Sequence, residues 1–182
     1  MTGSVMALAL LTLQAGSPVT APSPPPPCSA PAYAAFDFWV GEWDVYPNIK
    51  DPAKAPLIAH SRIEKLYGGC AIRENWMPLK GAGGGSLNAP DPATGRWHQH
   101  WLDSSGGRVN FDGGPVAGGM VLTGFWRGVN GPGKDGLVRM TYTRIDADSV
   151  RQFGELSEDQ GLTWTTSFDF LYRRAKPTGA KP

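Results

Sequence analysis

From residue 36 onward the chain alternates large apolar and polar side chains in short runs. Gly, Pro, Asp and Asn break these runs, and no stretch sustains an apolar repeat at helical spacing. Side chains alternate across a strand, so this pattern predicts β-structure throughout. Roughly ten strands follow by that criterion: Phe38–Tyr46, Leu57–Leu66, Cys70–Met77, Gly85–Ala89, Arg96–Asp103, Val109–Asp112, Met120–Arg127, Leu137–Ile145, Val150–Leu156 and Thr163–Arg173. The only helix expected is a turn or two near Pro31–Ala35. Strands joined in sequence by short turns favour an up-and-down antiparallel sheet, and a sheet of that size closes to remove its edges. The predicted fold is therefore all-β, a single antiparallel barrel of about eight to ten strands. Its organising stretch is Phe36–Tyr46, FDFWVGEWDVY, read as the opening strand with Trp39 and Trp43 facing inward.

Residue parity extends this assignment of faces to other strands. Ile72, Glu74 and Trp76 share one face; so do Trp97, Gln99 and Trp101; so do Val150, Gln152, Gly154 and Leu156. On the last strand the set is Trp164, Phe168, Phe170 and Tyr172. Three of these apolar faces carry one polar residue each: Glu74, Gln99 and Gln152. Burying such a group without partners costs on the order of 1–3 kcal/mol or more. Two readings remain open. The three groups form a structural hydrogen-bond network, or they form the polar end of a ligand cavity walled by Trp43, Trp76, Trp97 and Trp101.

Two turns are well marked. Asp91–Gly95 (DPATG) leads into Trp97. Ser157–Trp164 (SEDQGLTW) matches the Asp-box pattern Ser-x-Asp-x-Gly-x-Thr-Trp of sialidase-like propellers, in which Asp and Gly make a tight turn and Trp packs beneath it. One copy in so short a chain implies a hairpin built on Asp159, Gly161 and Trp164, not a propeller or glycosidase activity. The Gly81–Gly85 run has no following Lys-Ser/Thr pair and is not a phosphate cradle. Together with Gly113–Gly119 it is read as a long loop able to lid one end.

Composition adds location. The chain has 182 residues, formal net charge +1, 24 Gly and 17 Pro. Such balance gives no electrostatic footprint for nucleic acid, and no basic run exists. The leader is uncharged as far as Asp37 and holds an apolar run, Val5–Leu13, too short to span a bilayer. Residues 1–21 read as a signal peptide, although no Lys or Arg precedes the run. Residues 22–35 read as a Pro-rich linker containing PSPPPP, 36–174 as the barrel and 175–182 as a disordered tail. The expected location is periplasmic or secreted. Two cysteines in an exported chain suggest one disulfide, Cys28 to Cys70.

Gly41-Glu42-Trp43, with Arg173 and Arg174 ending the last strand, resembles the lipocalin or calycin pattern. That resemblance implies that the tryptophan closes one barrel end and an arginine, here Arg174 by parity, lies over its ring. The ordered set FDFWVGEWDVY, Gly69-Cys70 with Glu74-Asn75-Trp76, Gly95–Asp103 (GRWHQHWLD), Val150-Arg151-Gln152 and SEDQGLTW ending in FLYRR is more specific. It resembles an uncharacterised family of exported bacterial proteins with a lipocalin-like barrel, catalogued as a domain of unknown function. The resemblance spans Cys28 to Arg174 and implies fold and export, but no activity.

Candidate chemistry is sparse. His98 and His100 stand at a spacing that reaches one metal, but with Trp97 and Trp101 inward they point outward, and nothing marks a third ligand. The remaining histidine, His60, shares a face with Arg62 and Glu64. No metal or cofactor is assigned. There is no Gly-x-Ser-x-Gly elbow, and neither cysteine is placed beside a histidine. Glu42 and Asp44 lie opposite Trp43, and Asp103 is read with them as solvated or tied to loops. The expected role is holding a small, largely apolar molecule, with Trp43, Glu74, Trp76, Trp97, Gln99, Trp101 and Gln152 as contacts. The alternatives are an enzyme with Glu74 as acid or base, and a filled barrel acting as an interaction module.

Overall fold

A computed structural model describes residues 28–176; the signal-peptide segment, residues 22–27 of the Pro-rich linker and most of the tail lie outside the described residues. Ten strands form one closed antiparallel up-and-down barrel of lipocalin-like type. They are β1 (Gly41–Pro47), β2 (Ala59–Leu66), β3 (Ala71–Pro78), β4 (Gly84–Pro90), β5 (Trp97–Asp103), β6 (Arg108–Val116), β7 (Gly119–Trp126), β8 (Gly136–Arg144), β9 (Ser149–Ser157) and β10 (Thr165–Arg174). Each strand pairs with its sequence neighbours, and β1 pairs with β10 to close the ring. Full closure leaves no unpaired edge. Among the described residues, no helix is long and apolar enough to cross a membrane.

The barrel has two unlike ends. At the end where β1 begins, a segment ahead of the strand folds under the barrel through short 3-10 turns at Pro31–Ala34 and Asp37–Trp39. Its Phe36 and Trp39 side chains are fully buried. The Phe36 ring stacks on Trp39 at 4.9 Å and meets Tyr142 and Trp97 edge-on at 4.9 and 5.7 Å. Ile63, Ile72, Met120 and Val150 complete this apolar layer. Lys65 Nζ holds the segment from outside, 2.7 Å from the Asp37 carboxylate. A disulfide joins Cys28 to Cys70, just before β3, with their Cα atoms 4.9 Å apart.

Trp39 is therefore inward-facing but does not belong to the opening strand, which starts at Gly41 rather than Phe38. The reason is local. Gly41 has φ 145°, where a side chain is strained, and a Cβ there would lie 1.6 Å from Arg174 Nη1. The chain turns at this glycine, and the freed space admits a guanidinium. Arg174 lies 4.1 Å over the Trp43 ring and donates to the Val40 carbonyl at 2.8 Å. The Trp43 indole N–H in turn donates to the Trp39 carbonyl at 2.8 Å. Arg173 lies over the outer ring of Tyr46 instead.

Three other expectations change. Gly84 and Gly85 belong to β4, which leaves Gly81–Gly83 in the turn, and Gly113 and Gly114 belong to β6, which leaves only Ala117 and Gly118 between strands. The short turns that remain sit at opposite ends of the barrel and form no common lid. Trp164 does not face inward, because a bulge between Thr166 and Phe168 breaks the parity of β10. Phe168 opposes Gly154 on the inside, whereas Trp164 packs outside, with Arg139 4.1 Å over its ring.

Candidate functional site

The opposite end of the barrel is not plugged. A cavity of about 230 Å³ opens there, and eight of its twelve wall residues are aromatic. Trp76, Trp101, Trp126, Phe168 and Phe170 form the mouth and are half-buried. Register explains the grouping. Trp76 pairs with Gly84 and Trp101 with Ser86, so these rings stand near the ends of β3 and β5, on either side of β4. A Cβ at Gly154 would come within 2.3 Å of the Phe168 ring, so only glycine lets this ring lie across β9. Phe168 stacks on Phe170 at 4.9 Å, and Phe170 on Trp76 at 5.6 Å. Asp103 accepts the Trp101 indole N–H at 3.2 Å and caps the following turn through Ser105 and Gly107.

The floor is polar. On one wall, Ser86 Oγ donates to Glu74 Oε2 at 2.9 Å, Asn88 Nδ2 to Ser86 Oγ at 3.0 Å and Gln99 Nε2 to Asn88 Oδ1 at 2.7 Å. Across the barrel, Tyr172 donates its hydroxyl to Gln152 Oε1 at 2.7 Å, and Gln152 Nε2 donates to the Tyr142 oxygen at 2.9 Å. These two chains lie on β3–β5 and β8–β10, opposite sides of a ten-membered ring. Among the described residues, Ser86 is the one hydrogen-bond partner of the Glu74 side chain. Burial pushes the Glu74 carboxyl up to about 7, against the opposing pull of that hydrogen bond. Burial, and then the nearby Glu74 charge, hold the Tyr142 and Tyr172 phenols well above their ordinary range.

Glu74, Trp76, Gln99, Trp101 and Gln152 line this cavity. Trp43 and Trp97 do not, although they face inward. Both are packed in the core at 1% and 2% exposure, and Trp97 stands two inward positions before Trp101 on β5, against Phe36 of the plug. Parity gives a side chain's face, not its height. Ser86 and Asn88, which anchor the polar wall, stand on a strand poor in apolar residues and carry no hydrophobic signal. Up-and-down pairing is the signal that finds them, since Glu74 opposes Ser86 and Asn88 opposes Gln99. Tyr142, Phe111, Trp126 and Met140 were missed because no face was assigned to β6, β7 or β8.

The other candidates lie outside. His98 meets Asp112 and His100 meets Asn110 on the outer face of β5 and β6. His60 Nδ1 is 2.8 Å from Asp44, and Glu42 faces Arg62 at 3.8 Å. Among the described residues, no group of three His, Cys, Asp or Glu side chains is placed to hold a metal ion. The Asp-box turn is a self-contained clamp. Asp159 accepts from Ser157 and Thr163 at 2.6–2.9 Å, Gly161 adopts φ 95°, and the Trp164 indole donates to the Gly161 carbonyl at 3.1 Å. The Thr163 and Ser157 hydrogen bonds bring the Asp159 carboxyl down to about 2. No protein-family model matches this chain, and no curated protein matches it.

Proposed function

We propose that the barrel is an exported binding protein for a small, largely apolar molecule. The molecule enters between the mouth aromatics and sets its polar end against Glu74, Gln99 and Gln152. The observation that carries this reading is the asymmetry of filling: one end is plugged by Phe36 and Trp39, the other holds about 230 Å³ of space above a polar floor. At ~30 Å³ per water, that is room for on the order of eight waters. It falls below the ~300 Å³ at which drug-sized pockets begin, so the enclosed part of the ligand is small. Export agrees with the apolar leader run and the disulfide, and with the resemblance to the exported family.

Native mass spectrometry of freshly purified full-length protein, with tryptophan fluorescence during titration of small apolar alcohols, tests binding. A retained adduct, or saturable quenching weakened by Trp101→Ala, supports the reading. Neither adduct nor saturation across the series contradicts it.

One observation favours a second reading. A carboxyl with a midpoint near 7 inside a cavity is suited to proton transfer at neutral pH. An enzyme of that kind shows turnover that follows the Glu74 midpoint and disappears in Glu74→Gln. Turnover unchanged in that variant excludes it.

A further inference from the structure

The charge balance of the cavity narrows the class of its occupant, and this step rests on the binding reading above. Among the described residues, Glu74 is the only wall side chain able to carry charge near neutral pH, since no Lys, Arg or His lines the space. A ligand carboxylate would meet a like charge there with no cation to neutralise it. Aromatic walls act in the same sense, because a ring carries its negative potential on its face. Elsewhere in the chain such faces are covered by its own guanidinium groups: Arg174 over Trp43, Arg139 over Trp164, Arg151 over Phe153 and Arg173 over Tyr46. The cavity rings have no such cation among the described residues.

We propose that the cavity takes a small organic cation, an amine on an apolar or aromatic body. Its ammonium donates to Glu74, and its charge lies among the rings of Trp76, Trp101 and Phe170. The carboxylate has an acceptor position to offer, since Ser86 engages Oε2 and no described side chain donates to Oε1. Much of its desolvation is already borne by the folded protein, where burial raises its midpoint to about 7. The incoming ammonium supplies the missing counter-charge, so binding draws that midpoint down and releases a proton at lower pH. The other titratable groups facing this point are Tyr142 from β8 and Tyr172 from β10, phenols that burial keeps neutral.

Calorimetric titration of the full chain with three probes of one shape tests this: benzylammonium, benzyl alcohol and benzoate. At pH 8 benzylammonium binds at least ~10-fold more tightly than benzyl alcohol, and benzoate gives no heat of binding. Lowering the pH to 6 weakens benzylammonium about 10-fold, as Glu74 takes up the proton, and leaves benzyl alcohol unchanged. Glu74→Gln brings benzylammonium to the level of the alcohol. Benzyl alcohol or benzoate as the tightest probe, or a pH-independent amine affinity, overturns the amine assignment and leaves the binding of apolar molecules standing. No binding by any of the three overturns both.

Discussion

The two halves of the barrel are built from the same strands by the same alternation, yet one is solid and the other hollow. Four tryptophans show the contrast. Trp43 and Trp97 are sealed, while Trp76 and Trp101 face the same interior and remain half-open. The difference lies in what lies across each end. Below, Phe36 and Trp39 arrive from a segment outside the sheet and fill the space among Tyr142, Tyr172 and Trp97. Above, no equivalent segment reaches in among the described residues. A barrel of this size is thus filled or hollow according to its flanking chain, and its strands alone do not decide it.

The largest effect that sharpens this contrast is a tryptophan truncation at each end. Trp39→Ala leaves a cavity in the sealed core and lowers unfolding free energy by ~3–5 kcal/mol in denaturant melts. Trp101→Ala costs under ~1.5 kcal/mol, because its ring already borders open space, but it weakens probe binding. Equal costs would mean that the two ends are packed alike. Replacing both cysteines by serine releases the plug segment from β3. The loop between them, a separation of 42 residues, corresponds to ~3–4 kcal/mol of lost stability in the chain-entropy model. Cavity binding should persist in the folded fraction, and its loss would show that the plug shapes the mouth.

Next is a pH effect confined to the hollow half. The unfolded chain titrates Glu74 near 4.5, the folded protein near 7. Between those values the folded state keeps a proton that the unfolded state has lost. The stabilising contribution is therefore full below pH 4.5 and declines as pH rises through 7, by ~3 kcal/mol in all. Comparing wild type with Glu74→Gln at each pH isolates it, and parallel curves would disprove it. Smallest is Arg174→Ala, which removes an exposed guanidinium from the Trp43 ring and its bond to Val40, at ~1 kcal/mol. A cost above 3 kcal/mol would make this contact, rather than Phe36 and Trp39, the main seal.

Much of this was legible before any coordinates. Ten strands, the closed antiparallel order and the inward positions of Glu74, Gln99 and Gln152 follow from alternation and short turns. Three kinds of fact do not follow. Height along the barrel is invisible to parity, so Trp43 and Trp97 could not be told from Trp76 and Trp101. Departures from regular pairing are equally hidden: the bulge at Ser167 reverses the face of Trp164, and the turn at Gly41 takes Trp39 out of the strand while leaving it buried. Small polar residues such as Ser86 and Asn88 read as loop chemistry until their partners across the sheet are known. Gly113-Gly114-Pro115 misled in the same way and shortened β6 in the reading, although these residues pair with β7.

The most direct measurement is a carbon-13 titration of the Glu74 carboxyl, assigned through Glu74→Gln. A hollow upper half, with its carboxylate held out of bulk water by aromatic walls, gives a midpoint near 7 that moves when the cavity is occupied. A midpoint near 4.5 that is indifferent to every probe would place Glu74 in open water and contradict the account.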